Sequence, residues 1–268
     1  MSALAERPAI RPASLVASFA LPASVARLLL AVALLAAWQF APSFLLDDML
    51  VSRPTLVAAR IVEWVGDGVL IRESVATLSA VFLGLFWGGL AGSAVGLIAG
   101  MSRAVGKIVE PWLTVLFALP KSAFIPLFIL WFGISGRQHM LFVATVVFFF
   151  FFFAMYRGVQ SVPLPWRNML AISGAGALQS IRMLYLPASF GWMLSALRLA
   201  IPSAFVAAIS VEVIASREGL GHLVKTSSAV LDSAGTVAAI VWLVALATAL
   251  GASSIALADR SRWRIDAS

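Results

Sequence analysis

The chain has 268 residues, 62% of them hydrophobic and 12% charged, at a mean hydropathy of +1.00. Soluble domains carry about 45–50% apolar and about 25% charged residues, so an ordinary soluble domain is excluded and a lipid-facing surface is required. With no cysteine, disulfides, thiolate metal sites and cysteine nucleophiles are excluded too.

Apolar runs approaching the roughly 20 residues that a helix needs to cross a bilayer recur along the chain. They predict six spans. The first covers 28–40, behind Arg7, Arg11 and Arg27. Such a start resembles a signal peptide, but no small-x-small cleavage site follows before Pro42, so it reads as an uncleaved anchor. Residues 41–74 are mixed in charge and punctuated by Pro42 and Pro54, which predicts short external helices.

The second span, 76–101, has glycine at every fourth position: Gly84, Gly88, Gly92, Gly96 and Gly100. At 3.6 residues per turn these stay near one helix face and open a groove for a neighbouring backbone. The third span, 112–134, is interrupted by Pro120, Lys121 and Pro126. The fourth, 140–156, contains the six-phenylalanine run 148–153, expected to meet lipid or neighbouring helices. The fifth, 188–215, carries Arg198, Pro202 and Glu212, and the sixth, 234–258, precedes Arg260, Arg262 and Arg264.

Six spans put both termini on one side. With that side cytoplasmic, inside segments hold eleven basic residues and outside segments six. This is the bias of cytoplasmic loops, so the net charge of +7 reports topology rather than a nucleic-acid surface. No nucleic-acid partner is expected.

Three ionisable residues fall at membrane depth: Lys121, Arg198 and Glu212. A charge at the bilayer centre costs at least about 2.5–3.5 kcal/mol, so each must face protein or a watery path. Irregular backbone around Pro120 is tolerated at that depth only when buried or lining a cavity. Two readings stand: these residues border a translocation pathway, or they pair with one another and with helix-end carbonyls to hold the bundle.

The longest predicted cytoplasmic loop covers 157–187, and Pro163 and Pro165 favour a short helix at 166–177. That helix either returns the chain or docks a cytoplasmic partner. The chain has no G-x-x-x-x-G-K-S/T nucleotide loop, no G-x-S-x-G elbow and no histidine cluster. Enzymatic activity within this chain is therefore not expected, nor is a cofactor or metal.

At this loop the sequence resembles the permeases of bacterial ABC importers, whose loop reads E-A-A, three residues, G, nine residues, I-x-L-P. Leu186 and Pro187 match, the family glycine falls on Gly174 and the isoleucine on Leu184, while Asn168, Met169 and Leu170 replace Glu-Ala-Ala. The stretch ALPKSAFIPLFILWFG at 118–133 resembles P-x-x-A-x-x-P-L-x-I-L-W-F-G-I of nitrate, sulfonate and taurine permeases. Leu197-Arg-Leu-Ala200 resembles their G-x-R-x-A segment, and Val211-Glu-Val-Ile214 with Gly219-Leu-Gly221 their A-E-M-I…G-L-G stretch.

The resemblance implies an all-α membrane protein of the type I ABC importer permease fold. Residues 1–27 are then a cytoplasmic tail, 28–71 a first helix with its external segment, 72–258 a five-helix permease core and 259–268 a basic tail. It implies a homodimer of permeases in the bacterial inner membrane, two cytoplasmic ABC ATPases seated on the loop around Gly174, and an extracytoplasmic solute-binding protein. It also implies a small oxyanion such as nitrate, a sulfonate or taurine as solute. The alternatives are a vitamin precursor, an ion-gradient-driven carrier using Glu212 and Arg198 as a relay, and a non-transporting scaffold.

Overall fold

The computed structural model describes residues 22–40 and 52–265. The tail bearing Arg7 and Arg11, and the part of the external segment with Asp47 and Asp48, lie outside the described residues.

Helix α1 spans Ala23–Phe40. Its 18 residues reach about 27 Å at 1.5 Å each, close to a bilayer's hydrocarbon thickness. Helix α2, Pro54–Gly66, is a short helix in the segment expected to be external. It begins with proline, whose missing N–H costs nothing at a first turn. Arg60 of α2 reaches Asp232 at 3.2 Å and so ties α2 to the distant turn before the last helix.

Helix α3 spans Val69–Met101, and Ser102 then caps α4, Arg103–Ala118, by accepting from the Val105 amide. A 3₁₀ turn at Lys121–Phe124 and α5, Ile125–Phe132, follow at 89° to α4. Helix α6 is Gly136–Gln160, opened by Ser135 accepting from the Gln138 amide. The loop helix α7, Leu164–Ile172, and a single turn α8, Ala177–Ser180, lead through a π turn at Ile181–Tyr185 into α9, Leu186–Ala215. Proline at position 187 has no N–H for the carbonyl four residues back, and the ladder opens by one residue just before it. Helices α10, Leu220–Ala229, and α11, Ser233–Ile265, complete the order.

Among the described residues four helical runs have the length and apolarity of a span: Val69–Met101, Gly136–Gln160, Ala177–Ala215 and Ser233–Ala252. The bent pair Arg103–Ala118 and Lys121–Phe132 makes a fifth. The first expected span, 28–40, corresponds to α1, which is apolar but shorter.

The centre of the bundle is α6, packed between α3 and α9. Val143, Val147 and Phe152 on it are fully buried. The phenylalanine run packs largely inside the protein: Phe148, Phe152 and Tyr156 form a stacked ladder with centroids 6.1 and 5.8 Å apart. Tyr156 donates to Glu110 of α4 at 2.7 Å, and Arg157 pairs with the same carboxylate at 3.2 Å.

The glycine stripe of α3 lies against α6 along its whole length. A Cβ on Gly88, Gly92 or Gly96 would land on the carbonyl oxygens of Ala144, Phe148 and Phe152 in turn. One on Gly84 would overlap the Val143 side chain, and one on Gly100 would come within 2.7 Å of Val159 Cβ. Removing the side chains lets the two backbones touch, and dispersion then replaces the hydrophobic drive that lipid does not supply.

Candidate translocation pathway and loop surfaces

The broken span follows from its prolines. Leu119 precedes Pro120 and is pushed to extended backbone, at φ −67° and ψ 143°. Pro126 then restarts the helix within its first turn. The break frees carbonyls at the C-terminus of α4, where the helix dipole favours a cation. Lys121 occupies that place, its Nζ donating to Phe117 O at 2.6 Å. It also stands 4.5 Å from the Phe117 ring centroid and 5.3 Å from that of Phe149.

Lys121 lines a cavity of about 420 Å³ between the break, α6 and α9. Phe142 and Phe150 wall it, Pro202 of α9 enters it, and Ser122, Ser203 and Ser210 bring hydroxyls. Ser203 and Ser210 donate to Leu199 O and Val206 O on their own helix, at 2.9 and 2.7 Å. A hydroxyl rotates freely, so each can turn to donate to a bound solute. These serines had no distinguishing signal in the sequence; only the fold gathers them around Lys121.

Arg198 does not line that cavity. It sits half-buried on α9, fourteen residues before Glu212, about 21 Å away along the axis. The two are too far apart to pair, and Lys121 bonds to a helix-end carbonyl instead.

Glu212 belongs to a clasp at the far end of α9. It is 2% exposed and accepts from Thr77 Oγ1 of α3 at 3.0 Å and from the Gly221 amide at 2.8 Å. Thr77 accepts in turn from the Leu220 amide at 2.9 Å, and Glu73 from the Gly219 amide at 2.6 Å. Three orphan amides at the start of α10 thus find buried acceptors, two of them carboxylates suited to a helix N-terminus. Gly219 has φ +105°, and a Cβ there would overlap the Glu212 carboxyl. Glu73 and Thr77 escaped the sequence reading, because an isolated Glu and Thr near a helix start look like surface residues. A smaller cavity of about 130 Å³ beside the clasp is lined by His139, Glu212, Glu218 and Ser79.

At the opposite end, α7 is shorter than the 166–177 expected. It stops at Ile172 because Gly174 takes φ +70° and reverses the chain. The Ala175 amide donates to Leu170 O and the Gly174 amide to Ala171 O, each at 3.1 Å, the two bonds of a Schellman stop. One face of α7 turns inward, where Leu170 packs against the buried cluster that contains Met155, Val159 and Leu184. The other presents Trp166, Met169 and Ile172 to solvent, the last 87% exposed. Asn168 is exposed, Leu184 is buried, and Leu186 and Pro187 stand at the exposed start of α9.

An all-helical membrane bundle with one span broken around a cation and a hydroxyl-lined cavity defines an integral membrane transport protein. The chain belongs to the family of binding-protein-dependent transport system inner membrane components, whose model matches residues 92–264. It is a permease of an ABC importer, and the carrier and scaffold alternatives give way to that membership.

The chain is 27% identical over 229 residues to the taurine transport system permease protein TauC of Escherichia coli, covering 83% of each. It is 25% identical over 222 residues to the formylaminopyrimidine transport permease protein ThiX of Halalkalibacterium halodurans, covering 83% of this chain and 88% of that one. The inward-facing MetNI methionine ABC transporter superposes with a TM-score of 0.63 at 16% identity, over 72% of this chain and 95% of that chain. That likeness shows the fold.

Proposed function

We propose that the cavity at the Lys121 break forms part of the path of a small oxyanion of the nitrate, sulfonate or taurine kind. The observation that carries this is one cation, fixed at a helix end, facing three hydroxyls within phenylalanine walls. The cation and hydroxyls suit the charged head, and the phenyl walls suit a short apolar body. Likeness to a taurine permease supports the same solute class. The phenyl walls and the likeness to ThiX favour a second reading, a heterocyclic vitamin precursor.

The permease is read as a homodimer with two cytoplasmic ATPase subunits and an extracytoplasmic solute-binding protein, in the inner membrane, with both termini cytoplasmic. Hydrolysis of ATP belongs to the ATPases and this chain is non-catalytic. Their docking surface is the loop 157–187, through the exposed face of α7. Lys121, Pro120 and the α9 face at Pro202 border the path, while Arg198 and Glu212 lie away from it.

The test is uptake into vesicles holding this permease and its genomically adjacent ATPase, with the adjacent binding protein added outside. ATP-dependent accumulation of taurine or an alkanesulfonate supports the reading. Accumulation of a pyrimidine vitamin precursor alone transfers it to the second, and uptake without ATP overturns both.

A further inference from the structure

Helix α7 has two faces, and the inward one carries a single long cation. Arg167 Nε donates to Val162 O at 3.2 Å, and its terminal nitrogen donates to Val159 O. Val159 lies in the last turn of α6, where carbonyls have no partner within the helix and carry the negative end of its dipole. The same guanidinium lies over the Tyr185 ring, 5.7 Å from its centroid. Tyr185 closes the π turn that feeds α9 and is itself buried. One side chain therefore joins the loop helix to the ends of the two central helices.

Among the described residues no other hydrogen bond makes that connection, and Leu170 adds only apolar packing. Among the described residues the remaining hydrogen bonds of α7 stay within its own loop. Downstream the chain leaves through Gly174, at φ +70°, and Gly176, two glycines with no neighbour near a would-be Cβ. That exit is open and compliant, whereas the Arg167 side is pinned. A displacement of α7 must pass chiefly through the pinned side, since a flexible link transmits little force.

We propose that Arg167 is a positioning residue for energy coupling: it makes α7 move α6 and α9 as one body instead of swinging free on Gly174. The idea rests on the reading of the loop 157–187 as the ATPase dock. It adds that docking and transmission are carried by opposite faces of one short helix. Trp166, Met169 and Ile172 face outward and do not share the task. The planar fork matters because two carbonyls and a ring are held together, a geometry that lysine cannot reproduce.

The test compares wild type, Arg167→Met, Arg167→Lys, Tyr185→Leu and the double variant Arg167→Met with Tyr185→Leu, each reconstituted as the full transporter with its ATPase and binding protein. Three quantities are read: ATPase co-purification, ATP hydrolysis, and solute transported per ATP. Arg167→Met is expected to keep co-purification and hydrolysis but to transport about fivefold or more less solute per ATP. Arg167→Lys should fall between, and Tyr185→Leu should add little in the Arg167→Met background, where the contact of guanidinium and ring is already lost. If Arg167→Met does not fold, Arg167→Lys carries the comparison. Wild-type transport per ATP in these variants overturns the proposal, as does a loss confined to co-purification, which would make Arg167 part of the dock. Failure of wild type to bind the ATPase strikes the loop assignment instead.

Discussion

Thr77 and Glu212 lie 135 residues apart and meet through a 3.0 Å hydrogen bond in the protein interior. Thr77 is near the start of α3 and Glu212 near the end of α9, so the bond closes the bundle at that end. Around it Glu73 and three amides of the Gly219–Gly221 turn complete the clasp. Glu212→Ala leaves Thr77 and the Gly221 amide without their shared acceptor, at about 1–3 kcal/mol for each buried group. The detergent-solubilised protein is expected to lose several degrees of thermal stability. Glu212→Gln, which keeps an acceptor oxygen, should lose less. Equal melting of both variants and wild type would remove the clasp from the stability account.

Two glycines make opposite demands. Gly88→Ala drives a methyl into the carbonyl of Ala144 across the α3–α6 contact, and overpacking of that kind costs about 1–3 kcal/mol or more. Gly174→Ala meets no atom and pays only for φ +70°, about 1–2 kcal/mol, confined to the loop. Melting of the whole bundle should fall for Gly88→Ala, while Gly174→Ala should leave it near wild type and lower ATPase co-purification.

Lys121→Met removes the cation from the 420 Å³ cavity while preserving most of the side-chain volume. Solute-stimulated transport by the reconstituted importer should drop by about tenfold or more, the scale of one charge-assisted contact. Basal ATP hydrolysis should persist, and Lys121→Arg should retain part of the transport. Uptake by Lys121→Met equal to that of wild type would separate the cavity from the path.

Ile172→Asp places a charge on a side chain that is 87% exposed, so folding should be unaffected. If this face of α7 seats in the ATPase, a buried unpaired charge there should weaken the complex by about 2 kcal/mol or more, roughly thirtyfold. Co-purification with the ATPase measures this directly, with Met183→Asp, exposed on the π turn, as a neighbouring control.

The membrane class and the broken span could be read from the sequence because both are local: apolar run length gives the spans, and Pro120 with Pro126 gives the break. The glycine period in α3 likewise stands in the chain as a pattern, and the structure lays that face on α6. What stayed hidden depends on distant neighbours. Glu212 could be read from the sequence either as bordering the path or as holding the bundle, since a carboxylate at membrane depth must face protein or water. Its partners Thr77 and Gly221 are brought to it only by the packing of α3 and α10. The serines at Lys121 and the carbonyls gripped by Arg167 are invisible for the same reason: common residues and backbone atoms carry no label until the fold collects them. The end of α7 was misplaced by five residues because the reading let Gly174 loosen the helix, whereas its left-handed backbone stops it.

The backbone contact between α3 and α6 has a mechanical consequence. Helices that meet through bulky side chains can shift by rotamer changes, but two backbones in contact have nothing soft between them. A slide of one past the other would drive each Gly of α3 off its shallow seat and onto the side chains of α6. The pair therefore behaves as a keel. Relative motion is left to what hangs beside it, the bent arm of α4 and α5.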